Sequence, residues 1–116
     1  MSFLEQLFQA LDGVLPNRVT YGTNITGVDD RHVYPFIVYQ EIGDRVQSYA
    51  DNKPAVRIRT FQITLVIESK DPILEEKLET SLYQLGFNYQ MITEYVNDDN
   101  SVNRVYEIKQ EEIGYE

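Results

Sequence analysis

The sequence predicts an α+β fold, in which a mostly antiparallel sheet of about four to five strands carries two helices packed on one face. Two segments place apolar residues at the i, i+3, i+4, i+7 spacing of an amphipathic helix. The segments between and after them are rich in the β-branched and aromatic residues that favour strands. The predicted order is α-β-β-β-α-β-β, a single domain over residues 1–116.

The first predicted helix covers residues 2–14. Its apolar stripe comprises Phe3, Leu4, Leu7, Phe8 and Leu11. Ser2 is a suitable N-cap, and Glu5 stands three residues later, where its side chain completes a capping box. Gly13 and Pro16 are expected to end the helix.

The sequence in the middle of the chain predicts a long β-hairpin. A short strand is expected at Arg18–Tyr21, followed by a loop over residues 22–33, which are rich in Gly, Thr, Asn and Asp. Pro35 then opens a strand from Phe36 to Ile42 that continues weakly to Tyr49. Residues 51–54 have the composition of a turn. A second long strand over residues 56–68 closes the hairpin.

The second helix is predicted to start at Asp71 and Pro72, because aspartate is a good N-cap and proline suits the first helical position. Its buried stripe would comprise Leu74, Leu78, Leu82 and Leu85. Gly86 is the expected left-handed stop. A strand over residues 88–96 would place Tyr89, Met91, Thr93 and Tyr95 on one face. After a turn at residues 97–101, a last strand covers residues 102–112.

Composition excludes several classes of function. The net charge is −9, so a phosphate-gripping nucleic-acid protein, which needs a basic face, is disfavoured. The chain has no cysteine, which removes disulfides, thiolate metal sites and cysteine nucleophiles. No apolar run reaches the length of a membrane span. The first residues carry acids and no base before Arg18, so we expect no signal peptide and no membrane contact.

The long strand at residues 56–68 changes the parity of its apolar residues. Val56 and Ile58 fall on one face, whereas Phe61, Ile63, Leu65 and Ile67 fall on the other. A strand lying over one core would not switch faces in this way. A bulge near Thr60 would reset the phase. Alternatively, the outer part of the hairpin leaves the domain and buries its apolar side against another molecule.

The outer part of the hairpin is also the basic region of an acidic protein. Residues 44–59 contain four basic and two acidic residues. A basic arm would attract an acidic copy of the same chain, and head-to-tail contacts of this kind close into rings. The predicted subunit interface comprises Tyr49, Val56, Arg57, Ile58 and Arg59.

The residues that most resemble catalytic or ligand-binding groups have simpler explanations. The candidates are His32, the glycine-spaced loop Gly22–Gly27, and the acid pairs Asp29–Asp30 and Asp98–Asp99. The histidine has no nucleophile pattern around it. The loop lacks the lysine of a phosphate loop, and the acids lack the spacing of a calcium loop. We therefore predict no enzyme activity and no catalytic, cofactor-binding or metal-binding residues.

The ordered motifs resemble the small tail-completion or tail-terminator proteins of tailed bacteriophages and prophages of Gram-positive bacteria. The resemblance rests on PFIVY at residues 35–39, DNK at residues 51–53, ESKDP at residues 68–72 followed by an acidic helix, and the late aromatic strand. It covers nearly the whole chain.

The resemblance implies a non-enzymatic virion protein, assembled in the host cytoplasm and located in the tail. Such a subunit forms a ring, expected to be a hexamer, that ends the tail tube and joins it to the head. Its implied partners are its own copies, the tail-tube protein and the head–tail connector, and DNA passes through without specific binding. The alternatives are a head-closure or tail-tube subunit, or a small binding module that uses the basic hairpin.

Overall fold

The computed structural model describes residues 2–22, 34–47 and 55–115, and it confirms the predicted α+β fold. The elements are α1 (Phe3–Val14), β1 (Val19–Tyr21), β2 (Phe36–Gln47), β3 (Ala55–Ile67), α2 (Pro72–Gln84), β4 (Tyr89–Val96) and β5 (Val102–Tyr115). The five strands form one sheet in the order β1-β2-β3-β5-β4. The β1–β2 pair is parallel and the other three pairs are antiparallel. The predicted loop and turn at residues 23–33 and 48–54 lie outside the described residues.

Local signals set the helix ends as predicted. The Ser2 hydroxyl accepts a hydrogen bond from the Glu5 amide, and the Glu5 carboxylate accepts one from the Ser2 amide, so the capping box is complete. Asp71 caps α2 by accepting a hydrogen bond from the Leu74 amide at 3.2 Å. Gly86 follows α2 with φ +86°, a conformation that an L side chain disfavours.

Both helices pack on the same face of the sheet and enclose one main core. Its buried members are Leu7, Ala10, Leu11, Val14, Ile37, Tyr39, Phe61, Ile63, Leu65, Ile67, Leu78, Leu82, Phe87, Val102, Tyr106 and Ile108. A smaller buried cluster on the opposite face contains Phe36, Val38 and Val66, with Tyr34 against it. The parity of β3 accounts for this division, because Leu65 faces the helices and Val66 faces away.

Two members of the predicted helical stripes are exposed instead of buried. Phe8 lies at the margin of the buried face of α1, where its ring contacts Tyr39, and its exposed fraction is 38%. Leu85 follows the last residue of α2 as its C-cap, and its exposed fraction is 59%. The predicted stripe was therefore right at Leu7, Leu11, Leu78 and Leu82 and wrong at these two margins.

The register of the described strands shifts at three places, one of them at the end of β3 between Ala55 and Val56 and the other two within β2 and β4. In β2, Ile42 is an extra residue, because Glu41 pairs with Phe61 and Gly43 pairs with Thr60. In β4, Ile92 is extra, since Met91 pairs with Tyr106 and Thr93 with Val105. The prediction that Tyr89, Met91, Thr93 and Tyr95 share one face was therefore wrong, because the bulge turns the last two to the other side.

The outer end of the sheet has three strands, one more than the hairpin predicted from the sequence. β5 continues to Tyr115 and pairs with β3 as far as Ala55. The strand was predicted to end at residue 112. The molecule measures 54 × 27 × 24 Å, and its radius of gyration is 16.0 Å. A compact domain of this length would have a radius of gyration of about 13 Å. The long outer end of the sheet explains the difference.

Candidate functional site

The outer end of the sheet is the candidate interaction site, and we call it the distal ribbon. It comprises residues 43–47 of β2, 55–59 of β3 and 110–115 of β5. Four of the five predicted interface residues lie on its central strand: Val56, Arg57, Ile58 and Arg59. All four are half-buried. Tyr49 lies outside the described residues.

The apolar residues of β3 do change from one face of the sheet to the other, and β3 contains no bulge between Val56 and Ile67 that would keep them on one face. β3 pairs with β5 without interruption from Val56 to Ile67. The bulge predicted near Thr60 lies across from it, at Ile42 of β2. The two faces of the ribbon therefore differ: Arg57 and Arg59 share the helix side with Phe61, whereas Val56 and Ile58 lie on the opposite side.

The helix side of the ribbon carries two bidentate ion pairs. The Arg57 guanidinium donates to Asp44 at 3.0 and 2.7 Å. The Arg59 guanidinium donates to Glu41 at 2.9 and 3.2 Å, and it lies 5.2 Å from the centre of the Phe61 ring. The hydrogen bond from Arg57 lowers the pKa of Asp44, and the hydrogen bond to Glu41 raises the pKa of Arg59. These pairs hold β2 and β3 together on this face.

The opposite side of the ribbon carries apolar side chains that lie outside the core. Ile58 stands between Arg45 of β2 and Glu111 of β5, and Val56 stands between Gln47 and Ile113 in the register. Neither Val56 nor Ile58 belongs to a buried cluster of the described residues. Both side chains are therefore half-buried without belonging to the core, which makes this face a candidate contact surface.

A cluster of charged and polar side chains, which was not predicted from the sequence, joins α2 to the sheet. It comprises Lys70, Glu75, Glu79, Glu94, Arg104 and Tyr106. The Arg104 guanidinium donates to Glu79 and to Glu94, each at 3.0 Å. Arg104 Nε donates to the Tyr106 hydroxyl at 2.7 Å, and that hydroxyl donates to Glu79 at 2.7 Å. Lys70 Nζ donates to Glu75 and to Glu94, each at 2.8 Å.

Burial and these contacts shift several pKa values. Burial raises the pKa of the Tyr106 phenol, and the hydrogen bond to Glu79 raises it further. Burial lowers the pKa of Arg104, but hydrogen bonds to Tyr106, Glu79 and Glu94 outweigh that effect and leave it raised. The Lys70 ammonium lowers the pKa of Glu94. Lys70, Glu94 and Arg104 therefore stay charged near neutral pH, and the cluster attaches α2 to β4 and β5.

The acid pair at residues 98–99 serves the turn between β4 and β5. Asp99 accepts hydrogen bonds from the Ser101 hydroxyl and amide at 2.6 and 2.9 Å, and from the Tyr34 hydroxyl at 2.5 Å. Ser101 and Tyr34 together lower the pKa of Asp99 from 3.8 to about 2. The bond from Tyr34 therefore holds the residues just before β2 against the turn between β4 and β5.

This lowered pKa predicts a pH dependence. Since the Asp99 pKa is lower in the folded chain than its ordinary 3.8, its contribution to stability is complete above that pH and is lost as the pH falls through about 2. We expect Asp99→Ala to have a flatter profile of unfolding free energy across this range than the unmodified chain. Urea titrations at successive pH values measure the difference. Parallel profiles for the two proteins would contradict the role of Asp99.

The remaining sequence candidates do not form a chemical site among the described residues. His32, Asp29 and Asp30 lie outside those residues, as do most of Gly22–Gly27. Within residues 2–22, 34–47 and 55–115, no group of three or more histidine, cysteine, aspartate or glutamate side chains is placed to hold a metal ion. In the same ranges, no helix is long and apolar enough to cross a bilayer.

No protein-family model matches this chain, and no curated protein has a matching sequence.

Proposed function

We propose that this chain is a non-enzymatic structural protein of a tailed bacteriophage or prophage. In this proposal, copies of the subunit form a ring, a hexamer by resemblance, at the head-proximal end of the tail. The ring completes the tail and joins it to the head. The partners are other copies of the chain, the tail-tube protein and the head–tail connector.

The observation that carries the proposal is the position of Val56 and Ile58 on the distal ribbon. An apolar face that lies outside the core of its own chain is typical of a contact surface. The ribbon presents it at the end of a molecule whose longest dimension is 54 Å. A projecting surface of this kind reaches a neighbouring subunit more readily than a substrate, and the motif resemblance points to a ring assembly.

The alternative of a nucleic-acid-binding module is less well supported. Two of the arginines that made the hairpin basic, Arg57 and Arg59, are each paired with a carboxylate of β2. Phosphate binding would have to compete with those pairs. Steeply salt-dependent DNA binding by the isolated protein would favour this alternative over the ring. Head-closure and tail-tube subunits are ring components as well, and the partner that binds the ring distinguishes them.

The proposal predicts that Ile58→Asp blocks tail joining and leaves the subunit folded. If Ile58 is fully buried against a neighbour, loss of its side chain from that contact costs about 2 to 5 kcal/mol, and a buried aspartate adds a desolvation cost. The isolated chain is expected to tolerate the change, because Ile58 is only half-buried within it. Electron microscopy of assembly reactions measures the fraction of heads that carry tails.

Ile73→Asp is the matched control, because Ile73 lies on α2 with an exposed fraction of 84%. It introduces the same charge on the same side chain away from the ribbon. We expect this variant to join tails normally. Normal joining by Ile58→Asp would refute the assignment of the ribbon as an interface.

A further inference from the structure

β4 is an open sheet edge with four exposed apolar side chains. It is the last strand in the sheet order, and no described residue pairs with its outer side. The exposed fractions are 41% for Met91, 47% for Ile92, 49% for Tyr95 and 65% for Val96. The opposite edge of the sheet is the three-residue strand β1. Short edge strands resist pairing, whereas long apolar ones invite it.

Two of the usual devices that block edge pairing are absent from β4. The strand contains no proline and no lysine. Its charged residue, Glu94, points inward to Lys70 and Arg104. The Asn97 amide donates to the Ser101 carbonyl at 2.7 Å. Because antiparallel pairs alternate in their hydrogen bonding, the backbone groups of Glu94 and Val96 then face the open edge. The bulge at Ile92 and the inward-pointing Glu94 are the protective features of this edge.

We propose that the β4 edge pairs with the distal part of β2, residues 43–47, from a second copy of this chain. This inference rests on the proposed ring and names the surface that receives the ribbon. Two different edges of the sheet must meet for subunits to join head to tail. Pairing of β4 with β4 would instead give a two-fold dimer that ends after two copies.

The distal edge of β2 is open in the described part of the chain. β1 pairs with β2 at Ile37, Val38 and Tyr39 alone. The Glu41 amide donates to the Tyr21 hydroxyl at 3.3 Å, so the uncovered edge begins beyond it. Ile42 and Val46, with exposed fractions of 48% and 49%, supply apolar side chains to match those of β4.

Charge favours a second copy as the partner. On the ribbon, Arg57 and Arg59 are each paired with a carboxylate of β2. The β5 part of the ribbon adds two glutamates, at residues 111 and 112, so among the described residues Arg45 is the cation that the outer strand offers to a partner. The β4–β5 region, residues 89–107, contains four acidic residues and one arginine. Arg45 is exposed, and no ion pair joins it to another described residue. Head-to-tail pairing would thus bring Arg45 of one copy to the acidic β4–β5 region of the next, whereas two β4 edges would bring like charges together.

Cysteine cross-linking tests this pairing directly, because the chain has no native cysteine. Val46→Cys protein would be mixed with Ile92→Cys or Val96→Cys protein at high concentration and oxidised. A docked pair holds two thiols at high effective concentration, so we expect at least about tenfold more mixed dimer than Val46→Cys gives with Ile73→Cys. Yields equal to that control, or cross-links only between identical β4 variants, would overturn the proposal.

A charge on the edge provides a second, independent readout. Val96→Lys adds a common edge-protecting residue at a position with a 65% exposed fraction, so the fold should be retained. We expect sedimentation to show self-association weakened by at least about tenfold relative to Ile73→Lys. Unchanged self-association would overturn the pairing.

These results can be separated from failure of the proposed function. If Ile58→Asp blocks tail joining but assembled rings show no cross-link between residues 46 and 92 or 96, only the β4 pairing fails. If Ile58→Asp joins tails normally, the assignment of the ribbon as an interface fails, whatever the cross-linking shows.

Discussion

Replacing Arg104 with leucine is expected to lower the free energy of unfolding by about 1 to 3 kcal/mol, the usual cost of leaving hydrogen-bonded polar partners unsatisfied. Arg104 is the link between Glu79 of α2 and Glu94 of β4, and the exposed fraction of its side chain is 17%. Without it, three glutamates remain near one lysine at the helix–sheet contact. The lost energy is a large part of the total stability of a typical domain, about 5–15 kcal/mol.

The local geometry leaves little to compensate for the loss. Glu75 is 5% exposed, its Oε2 atom is buried, and no described residue donates a hydrogen bond to that atom. Arg104 Nε lies 3.6 Å from the other carboxylate oxygen of Glu75. The Tyr106 hydroxyl would also lose the donor that balances its own donation to Glu79. The variant therefore leaves several buried polar groups poorly satisfied.

Urea denaturation of the two proteins measures this change. Arg45→Leu is the matched control, because Arg45 is exposed and should change stability by no more than about 0.5 kcal/mol. A double variant, Arg104→Leu with Glu79→Gln, should recover part of the loss by removing one uncompensated charge. If Arg104→Leu were as stable as the control, the cluster would not be what attaches α2 to the sheet.

Local signals explain why the element order could be predicted from the sequence. The capping pairs Ser2–Glu5 and Asp71–Pro72 fix both helix starts through atoms a few residues apart. Gly86 fixes the end of α2 through its own backbone conformation. The predicted alternation of side chains between the two faces of β3 was also confirmed: Phe61 and Ile63 face the helices, and Ile58 does not. Each of these features depends on chemistry within one short segment.

Features that depend on distant segments could not be predicted in the same way. The extra residues Ile42 and Ile92 are ordinary β-formers, and only pairing with the neighbouring strand makes them bulges. β5 extends to Tyr115 because β3 offers it an edge, although residues 110–112 are polar. The ion cluster is assembled from four separate parts of the chain, and a sequence with nineteen acids does not single out Glu75 or Glu79.

The position of the candidate site was predicted from the sequence, but the ion pairs formed by its arginines were not. The outer part of the hairpin was expected to be basic, and Arg57 and Arg59 do lie there, but each is paired with a carboxylate on β2. The apolar pair, Val56 and Ile58, was the more informative signal, because strand parity alone separates it from the core. The open edge of β4 was missed, since edge position is a property of the sheet order.

Replacing Phe61 with alanine is expected to lower the free energy of unfolding by about 3 to 5 kcal/mol, as for other buried phenylalanines. Phe61 is fully buried, and its ring centre lies 5.0 Å from that of Phe3 on α1. It pairs with Glu41 next to the bulge in β2, and the Arg59 guanidinium lies over its ring. Phe61 therefore lies where the main buried core meets the distal ribbon.

The global loss of stability in Phe61→Ala is measured separately from the local effect of the substitution on the ribbon. Urea denaturation gives the global loss, with Tyr83→Ala as the control, because Tyr83 is 76% exposed and its removal should cost no more than about 0.5 kcal/mol. Phe61→Leu keeps much of the apolar volume and should lose less than Phe61→Ala. A loss below about 1 kcal/mol in Phe61→Ala would show that the site collapses around the missing ring.

The same substitution tests whether the ribbon is rigid because the core holds it. Arg59 packs between Glu41 and the Phe61 ring, so loss of the ring frees one side of that ion pair. Hydrogen exchange at the amides of residues 56–59 should then quicken more than the global destabilisation explains. If those amides instead follow global unfolding in both proteins, the ribbon is ordered by its own three-stranded pairing, independently of Phe61.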